Sequence, residues 1–221
     1  SYCAFVDGKM RELYPKRERF VLLIACIVSI SGAILGYEET STCLLSSSHS
    51  SHSHHHRVQG YVDLQILSLG YLGIGIGAVL SLPFADMLGR RYTLIYSALA
   101  HILMTVYACT RLSDAYWEQV IARILVDLTI GAMVTAAPLY LSEITLGFER
   151  GSVCCAYYLF FCGGCILSAL LYSLSEYSPG NGEENSKEPK LWANIYPVVP
   201  AVGSLFMAVL LPATPESPRW L

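Results

Sequence analysis

The stretch from Val120 to Leu141 most constrains the fold, because it is almost wholly apolar and long enough to cross a bilayer as a helix. Yet it contains Arg123 and Asp127. An ionised side chain within a membrane helix costs at least about 2.5–3.5 kcal/mol, so such residues mark functional sites by default. The sequence therefore predicts a membrane helix whose charges need partners on neighbouring helices.

The composition supports a membrane protein. The chain is 54% hydrophobic and 14% charged, whereas a soluble domain has about 25% charged residues. The net charge of −3 and the lack of a basic patch with interleaved aromatics argue against nucleic acid as a partner. No nucleophile–base set, phosphate loop or cofactor motif is evident, so we expect neither an enzyme nor a bound cofactor.

Six apolar runs predict an all-α membrane bundle with six spans. They cover about residues 20–43, 64–84, 92–110, 120–141, 152–174 and 191–211. Basic residues concentrate in the arm 1–19 and at one end of the bundle, so the positive-inside rule predicts a cytoplasmic N-terminus, most simply in the plasma membrane. We expect the domains to be the arm 1–19, the bundle 20–212 with outer loops 44–62 and 175–190, and the start of a further cytoplasmic segment at 213–221.

Glu38 and Arg123 are predicted to share a depth in the membrane. Glu38 lies about 18 residues into the first span, or roughly 27 Å at 1.5 Å per residue, and the fourth span runs in the opposite direction. A carboxylate paired with arginine stays ionised and takes up a proton when its partner leaves, so the pair could couple proton movement to solute movement. Alternatively, Glu38 and Glu39 cap the outer end while Arg123 pairs with Asp127, one turn away. The spacing alone leaves both pairings open.

A second set of charges follows the inner ends of the second, fourth and sixth spans. Acids alternate with bases there, which favours a set of ion pairs that locks the helix ends in one state and releases them in another. Simple topology anchors are the alternative, although anchors need no acids. The set is Asp86, Arg90, Arg91, Glu143, Arg150, Glu216 and Arg219.

Other clusters favour ordinary explanations. The tract with His49, His52, His54, His55 and His56 is a weak metal-site candidate, and a solvated low-complexity loop is the better interpretation, so no metal site is predicted. Cys162 and Cys165 are expected to be small packing residues, and His101 a helix-packing hydrogen bonder. A disulfide between Cys43 and Cys109 remains open.

Three motifs in order resemble the sugar porter family of the major facilitator superfamily. They are Asp86-x-x-Gly89-Arg90-Arg91, then Pro138-x-Tyr140-x-x-Glu143 with Arg150-Gly151, and finally Pro215-Glu-Ser-Pro-Arg-Trp220. The sequence Gly36-Tyr37-Glu38 resembles the class III animal glucose transporters. The resemblance implies the N-terminal half of a major facilitator fold, a six-helix bundle of two inverted three-helix repeats.

The resemblance also implies a function: transport of a sugar or related polyol by alternating access, with proton coupling left open. In proton-coupled family members the acid of the first span pairs with the arginine of the fourth, which favours Glu38 with Arg123. Two departures stand out. Asp127 occupies a position where the family usually has glycine, and Tyr158 replaces a sugar-binding glutamine. Tyr158 and Cys165 are the candidates for the solute path.

The chain ends where the first half of such a transporter ends. We therefore expect a fragment or truncated isoform whose main partner is the missing six-span half. The alternative function is a non-transporting relative that acts as a membrane sensor or interaction partner. The sequence does not identify the substrate or the coupling ion.

Overall fold

The described part of the chain forms six helices and no strand, which confirms the all-α prediction. The structure is a computed structural model that describes residues 15–50, 56–110, 116–145, 150–177 and 196–214, with side chains described for a narrower range in several helices. The helices are α1 (Pro15–Ser50), α2 (His56–Leu88), α3 (Arg90–Thr110), α4 (Tyr116–Ile144), α5 (Arg150–Tyr177) and α6 (Val198–Leu210), the last followed by a 3-10 turn at Leu211–Ala213.

Within the described residues, five helices are long and apolar enough to cross a membrane. These candidate spans are Val21–Leu44, Leu69–Leu88, Arg90–Thr110, Trp117–Ile144 and Arg150–Leu174, and a shorter apolar segment covers Val198–Ala213. The spans of α1 and α4 are 61% and 56% buried, whereas those of α2 and α5 are each 22% buried. The charged helix α4 is therefore interior, and its charges must be satisfied by the protein.

Two helix boundaries differ from those that the sequence suggested. Helix α1 continues to Ser50 and α2 begins at His56, so part of the expected 44–62 loop is helical. No proline or glycine lies between Gly36 and Gly60 to end a helix. Helix α6 begins at Val198 rather than near residue 191, because Pro197 is its N-cap and a proline disfavours helical conformation in the residue before it.

The most extensive packing joins α1 to α5 and α2 to α4. We call these two contacts the α1–α5 seam and the α2–α4 seam. In the first, Gly36 faces the carbonyl oxygen of Phe161 and Gly164 faces that of Ala33. A Cβ atom at either glycine would collide with that carbonyl group, so small residues set how closely the helices approach.

The α2–α4 seam repeats this arrangement. Gly77 faces the carbonyl oxygen of Leu128, and Gly131 faces that of Ile74, with the same three-residue spacing as in the α1–α5 seam. If α1 is exchanged with α4 and α5 with α2, one seam becomes the other. This exchange is the relation that two three-helix repeats require.

The turn between α2 and α3 depends on one glycine. Gly89 has φ of 95°, the only positive φ among the described residues, and such a conformation favours glycine. Thr93 donates both its backbone N–H (3.1 Å) and its hydroxyl (2.9 Å) to the Gly89 carbonyl oxygen. The Asp86-x-x-Gly89-Arg90-Arg91 motif thus forms a tight connection that holds its charges at one end of the bundle.

Candidate functional site

Arg123 and Asp127 of α4 lie in a polar cluster with residues of α1 and of the turn before α6. Arg123 Nη1 lies 2.9 Å from Glu38 Oε2 on α1, and Arg123 Nε donates to Asp127 Oδ2 at 2.8 Å. Tyr196, just before α6, accepts from Arg123 Nη1 at 2.9 Å and donates to Glu38 Oε2 at 2.8 Å. We call these four residues the Arg123 cluster. Both pairings that the sequence left open are present, because a guanidinium can serve two carboxylates at once.

The two acids of the Arg123 cluster are almost fully buried. The Glu38 and Asp127 side chains are each 2% exposed, and the Arg123 side chain is 15% exposed. Charges removed from water in this way need close partners with good geometry. Glu38 has two donors on one oxygen, whereas Asp127 Oδ1 is buried with no hydrogen-bond partner among the described residues.

Two glycines of α2 make room for Asp127. A Cβ atom at Gly70 would collide with Asp127 Oδ2, and one at Gly73 would lie 3.2 Å from the Asp127 Cβ. The carboxylate thus fills space that side chains on α2 would otherwise occupy. The sequence showed glycines at helix-packing spacing, but not that one of them accommodates an acid.

A second polar contact joins α3 to α6. The His101 Nδ1 atom lies 2.9 Å from the Ser204 hydroxyl, and both residues are fully buried. His101 makes no ion pair with the described residues. The contact fits the expected role of a helix-packing hydrogen bonder.

The opposite end of the bundle contains the Arg90 cluster, formed by Asp86, Arg90 and Glu143. Arg90 Nη2 lies 2.9 Å from Asp86 Oδ1, and Arg90 Nε lies 3.2 Å from Glu143 Oε1. The Asp86 side chain is 71% exposed, whereas that of Glu143 is 3% exposed. Nearby, Arg91 donates to the Pro212 carbonyl oxygen at 2.8 Å. These contacts thereby join the ends of the second, third and fourth spans and the end of the sixth.

The remaining members of the predicted inner set are Arg150, Glu216 and Arg219. Arg150 is exposed at the start of α5, and it forms no ion pair with the described residues of the Arg90 cluster. Glu216 and Arg219 lie outside the described residues. Of the five predicted charges that the structure describes, it thus brings three together, with Arg91 alongside them.

The solute-path candidates Tyr158 and Cys165 both lie on α5. Tyr158 is 66% exposed on α5 and contacts the Tyr157 ring edge-on, with ring centroids 5.7 Å apart. Cys165 packs against Gly36 in the α1–α5 seam, where its Sγ would lie 3.1 Å from an added Cβ. Neither residue is a partner of Arg123 in the described hydrogen bonds and ion pairs.

The histidine tract and the Cys43–Cys109 pair were the candidates for a metal site and a disulfide. The histidine tract 49–56 has no described side chains. Within the described residues, no group of three or more histidine, cysteine or acidic side chains is arranged to hold a metal ion. Cys43 and Cys109 are both free.

Tyr196 is the member of the Arg123 cluster that sequence reasoning missed. It lies in a turn before α6 and reaches across the bundle to α1 and α4. The only available signal was a tyrosine followed by Pro197 at the start of an apolar run, and this pattern does not predict a polar contact.

The chain matches the family model described as Sugar (and other) transporter over residues 22–221. It is 32% identical over 206 residues to the arabinose-proton symporter of Bacillus subtilis, covering 91% of this chain and 42% of that protein. It is 30% identical over 164 residues to the D-xylose transporter of Levilactobacillus brevis, covering 74% and 32%. Facilitated glucose transporter member 12 of Danio rerio is 30% identical over 206 residues, covering 90% and 30%. All three are transporters by name, not enzymes.

The fold is similar to that of the xylose transporter XylE from E. coli. The structure of this proton:xylose symporter bound to 6-bromo-6-deoxy-D-glucose superposes with a TM-score of 0.79 at 19% identity, covering 93% of this chain and 47% of that one. An inward open structure of the same protein gives a TM-score of 0.74. The chain spans less than half the length of the curated relatives described above. It is an integral membrane protein that belongs to the sugar (and other) transporter family and has the fold of about half of a major facilitator superfamily transporter.

Proposed function

We propose that this chain forms the N-terminal half of a transporter for a sugar or related polyol that works by alternating access. The named substrates of its relatives, arabinose, xylose and glucose, support this solute class. A second six-span half would complete the solute site, as in transporters whose substrate lies between two repeats. The N-terminus would be cytoplasmic and the membrane the plasma membrane, as the distribution of basic residues suggests.

The observation that carries the proposal is the ion pair between Glu38 and Arg123. The two residues lie on the two most buried spans, and their side chains meet at 2.9 Å. A buried acid with a movable arginine partner can gain or lose a proton as the arginine moves. We propose that Glu38 is the proton-sensitive acid and that Arg123 is its partner.

The Arg90 cluster would hold the opposite end of the bundle closed in one state. Arg90 connects the end of α2 to the end of α4 through Asp86 and Glu143. Ion pairs between helix ends can form in one state and separate in another. Arg150, Glu216 and Arg219 would join this set when the complete transporter closes.

The test is uptake by the full-length protein carrying Glu38→Gln, reconstituted in proteoliposomes with and without a pH gradient. We expect the variant to lose stimulation by the gradient while it retains exchange of labelled sugar. Glu39→Gln is the matched control, because Glu39 is adjacent but binds the Tyr71 hydroxyl at 2.6 Å instead of Arg123. Unchanged gradient dependence in Glu38→Gln would remove the proton role.

The competing function is that of a non-transporting relative. It is favoured by Asp127, which holds Arg123 to its own helix at 2.8 Å and so opposes its movement. The same proteoliposomes distinguish the two functions. No uptake of any sugar or polyol by the wild-type full-length protein would favour the sensor or interaction role.

A further inference from the structure

The Arg123 cluster contains more acid than base. One guanidinium faces two carboxylates, and the Glu38 and Asp127 side chains are both only 2% exposed. If both acids were ionised, the cluster would keep one uncompensated negative charge in a region that water reaches poorly. Such a charge is strongly disfavoured, and a buried group usually becomes neutral instead.

The described groups around Asp127 do not supply a second positive charge. Three titratable groups of other elements interact electrostatically with Asp127. They are Glu38 and Glu39 of α1 and Tyr196 before α6. Tyr71 of α2 interacts electrostatically with Arg123, and His101 of α3 interacts with both Arg123 and Glu38. Among these groups Glu39 is the one acid outside the cluster, and two are tyrosines. The His101 ring faces the hydroxyl of Ser204, so a positive charge there would lack a carboxylate contact.

The two acids differ in how well their charge is stabilised. Glu38 Oε2 receives hydrogen bonds from Arg123 Nη1 at 2.9 Å and from the Tyr196 hydroxyl at 2.8 Å. Asp127 Oδ2 receives one, from Arg123 Nε, while its buried Oδ1 has no hydrogen-bond partner among the described residues. Hydrogen bonds to an ionised carboxylate favour that form, and a buried oxygen without a donor disfavours it.

We propose that Asp127 is a second proton site, which carries a proton on Oδ1 in this arrangement while Glu38 is ionised. Arg123 is then shared between the acids, and the proton resides on the acid that receives fewer hydrogen bonds. A shift of Arg123 toward Asp127 would ionise Asp127 and leave Glu38 to take the proton. The coupling role of this exchange rests on the proposed function, whereas the protonation itself does not.

Infrared difference spectra between unlabelled and isotope-labelled samples of the purified wild-type chain in lipid nanodiscs test the proposal. This measurement does not depend on transport. A protonated carboxyl group has a C=O stretch well separated from the bands of carboxylates. We expect one such band at neutral pH, and we expect it to shift when the protein contains aspartate labelled with ¹³C at the side-chain carboxyl carbon. Labelled glutamate should leave it in place.

Variants then assign the band to one residue. Asp127→Asn should abolish it, and Glu38→Gln should also weaken it, because Arg123 then serves Asp127 alone. Asp86→Asn is the matched control, since Asp86 is 71% exposed in the other cluster, and it should leave the band unchanged.

Three outcomes would overturn the proposal. They are the absence of the band at neutral pH, a shift with labelled glutamate instead of aspartate, and persistence of the band in Asp127→Asn. A band that is absent only when sodium is present would point to a cation at this position instead. The labelled wild-type measurement needs no variant to fold, and its result is independent of whether sugar uptake is found.

Discussion

The α1–α5 and α2–α4 seams have the same backbone packing but differ in what they hold. In each seam two glycines face carbonyl groups of the opposite helix. Four residues before Gly36, α1 has Gly32. At the matching position of the other seam, four residues before Gly131, α4 has Asp127. Gly32 lies against the backbone of α5, whereas Asp127 lies against Gly70 and binds Arg123. The glycines therefore set the helix approach, and a single side chain decides whether the seam is apolar or charged.

The largest effect should follow loss of Arg123, the cation that Asp127 of the α2–α4 seam binds. Arg123→Leu would leave two buried acids without their cation, and breaking a buried pair in this way costs about 3–5 kcal/mol in the free energy of unfolding. Thermal unfolding of the purified protein in detergent measures it. Adding Glu38→Gln and Asp127→Asn to Arg123→Leu should recover most of the loss, and an unchanged melting temperature in Arg123→Leu alone would contradict the cluster.

The next effect tests whether the two seams are equivalent. Gly36→Ala and Gly131→Ala each place a Cβ atom against a backbone carbonyl group that cannot move away cheaply. Overpacking of this kind costs about 1–3 kcal/mol, and we expect similar losses of stability from both variants in the same unfolding assay. Gly75→Ala and Gly163→Ala are matched controls, because nothing lies within 4 Å of an added Cβ at either position. Tolerance of one seam variant alone would show that the seams are not equivalent.

The smallest effect should come from the positions where the seams differ. Gly70→Ala meets the end of the Asp127 side chain, which can rotate away, so we expect a stability loss of about 1 kcal/mol, near the lower limit for overpacking. Gly32→Ala meets the Tyr157 carbonyl oxygen at 2.8 Å, which belongs to the backbone, and should cost more.

The sequence determined the helices and much of the charge placement. Continuous apolar runs specify membrane helices because the bilayer leaves few other ways to satisfy the backbone. The antiparallel course of the first and fourth spans placed Glu38 and Arg123 at one depth, and the structure brings their side chains together. The three motifs pointed to the family to which the chain belongs.

Only the tertiary structure decided which side chains share a partner. Depth follows from residue spacing, but contact also depends on the rotation of each helix about its axis, which packing sets. The sequence therefore left Glu38 and Asp127 as alternatives, whereas the structure gives Arg123 both of them and adds Tyr196 from a turn. For the same reason, the sequence showed that α2 contains glycines, and the packed bundle showed that Gly70 makes room for an acid.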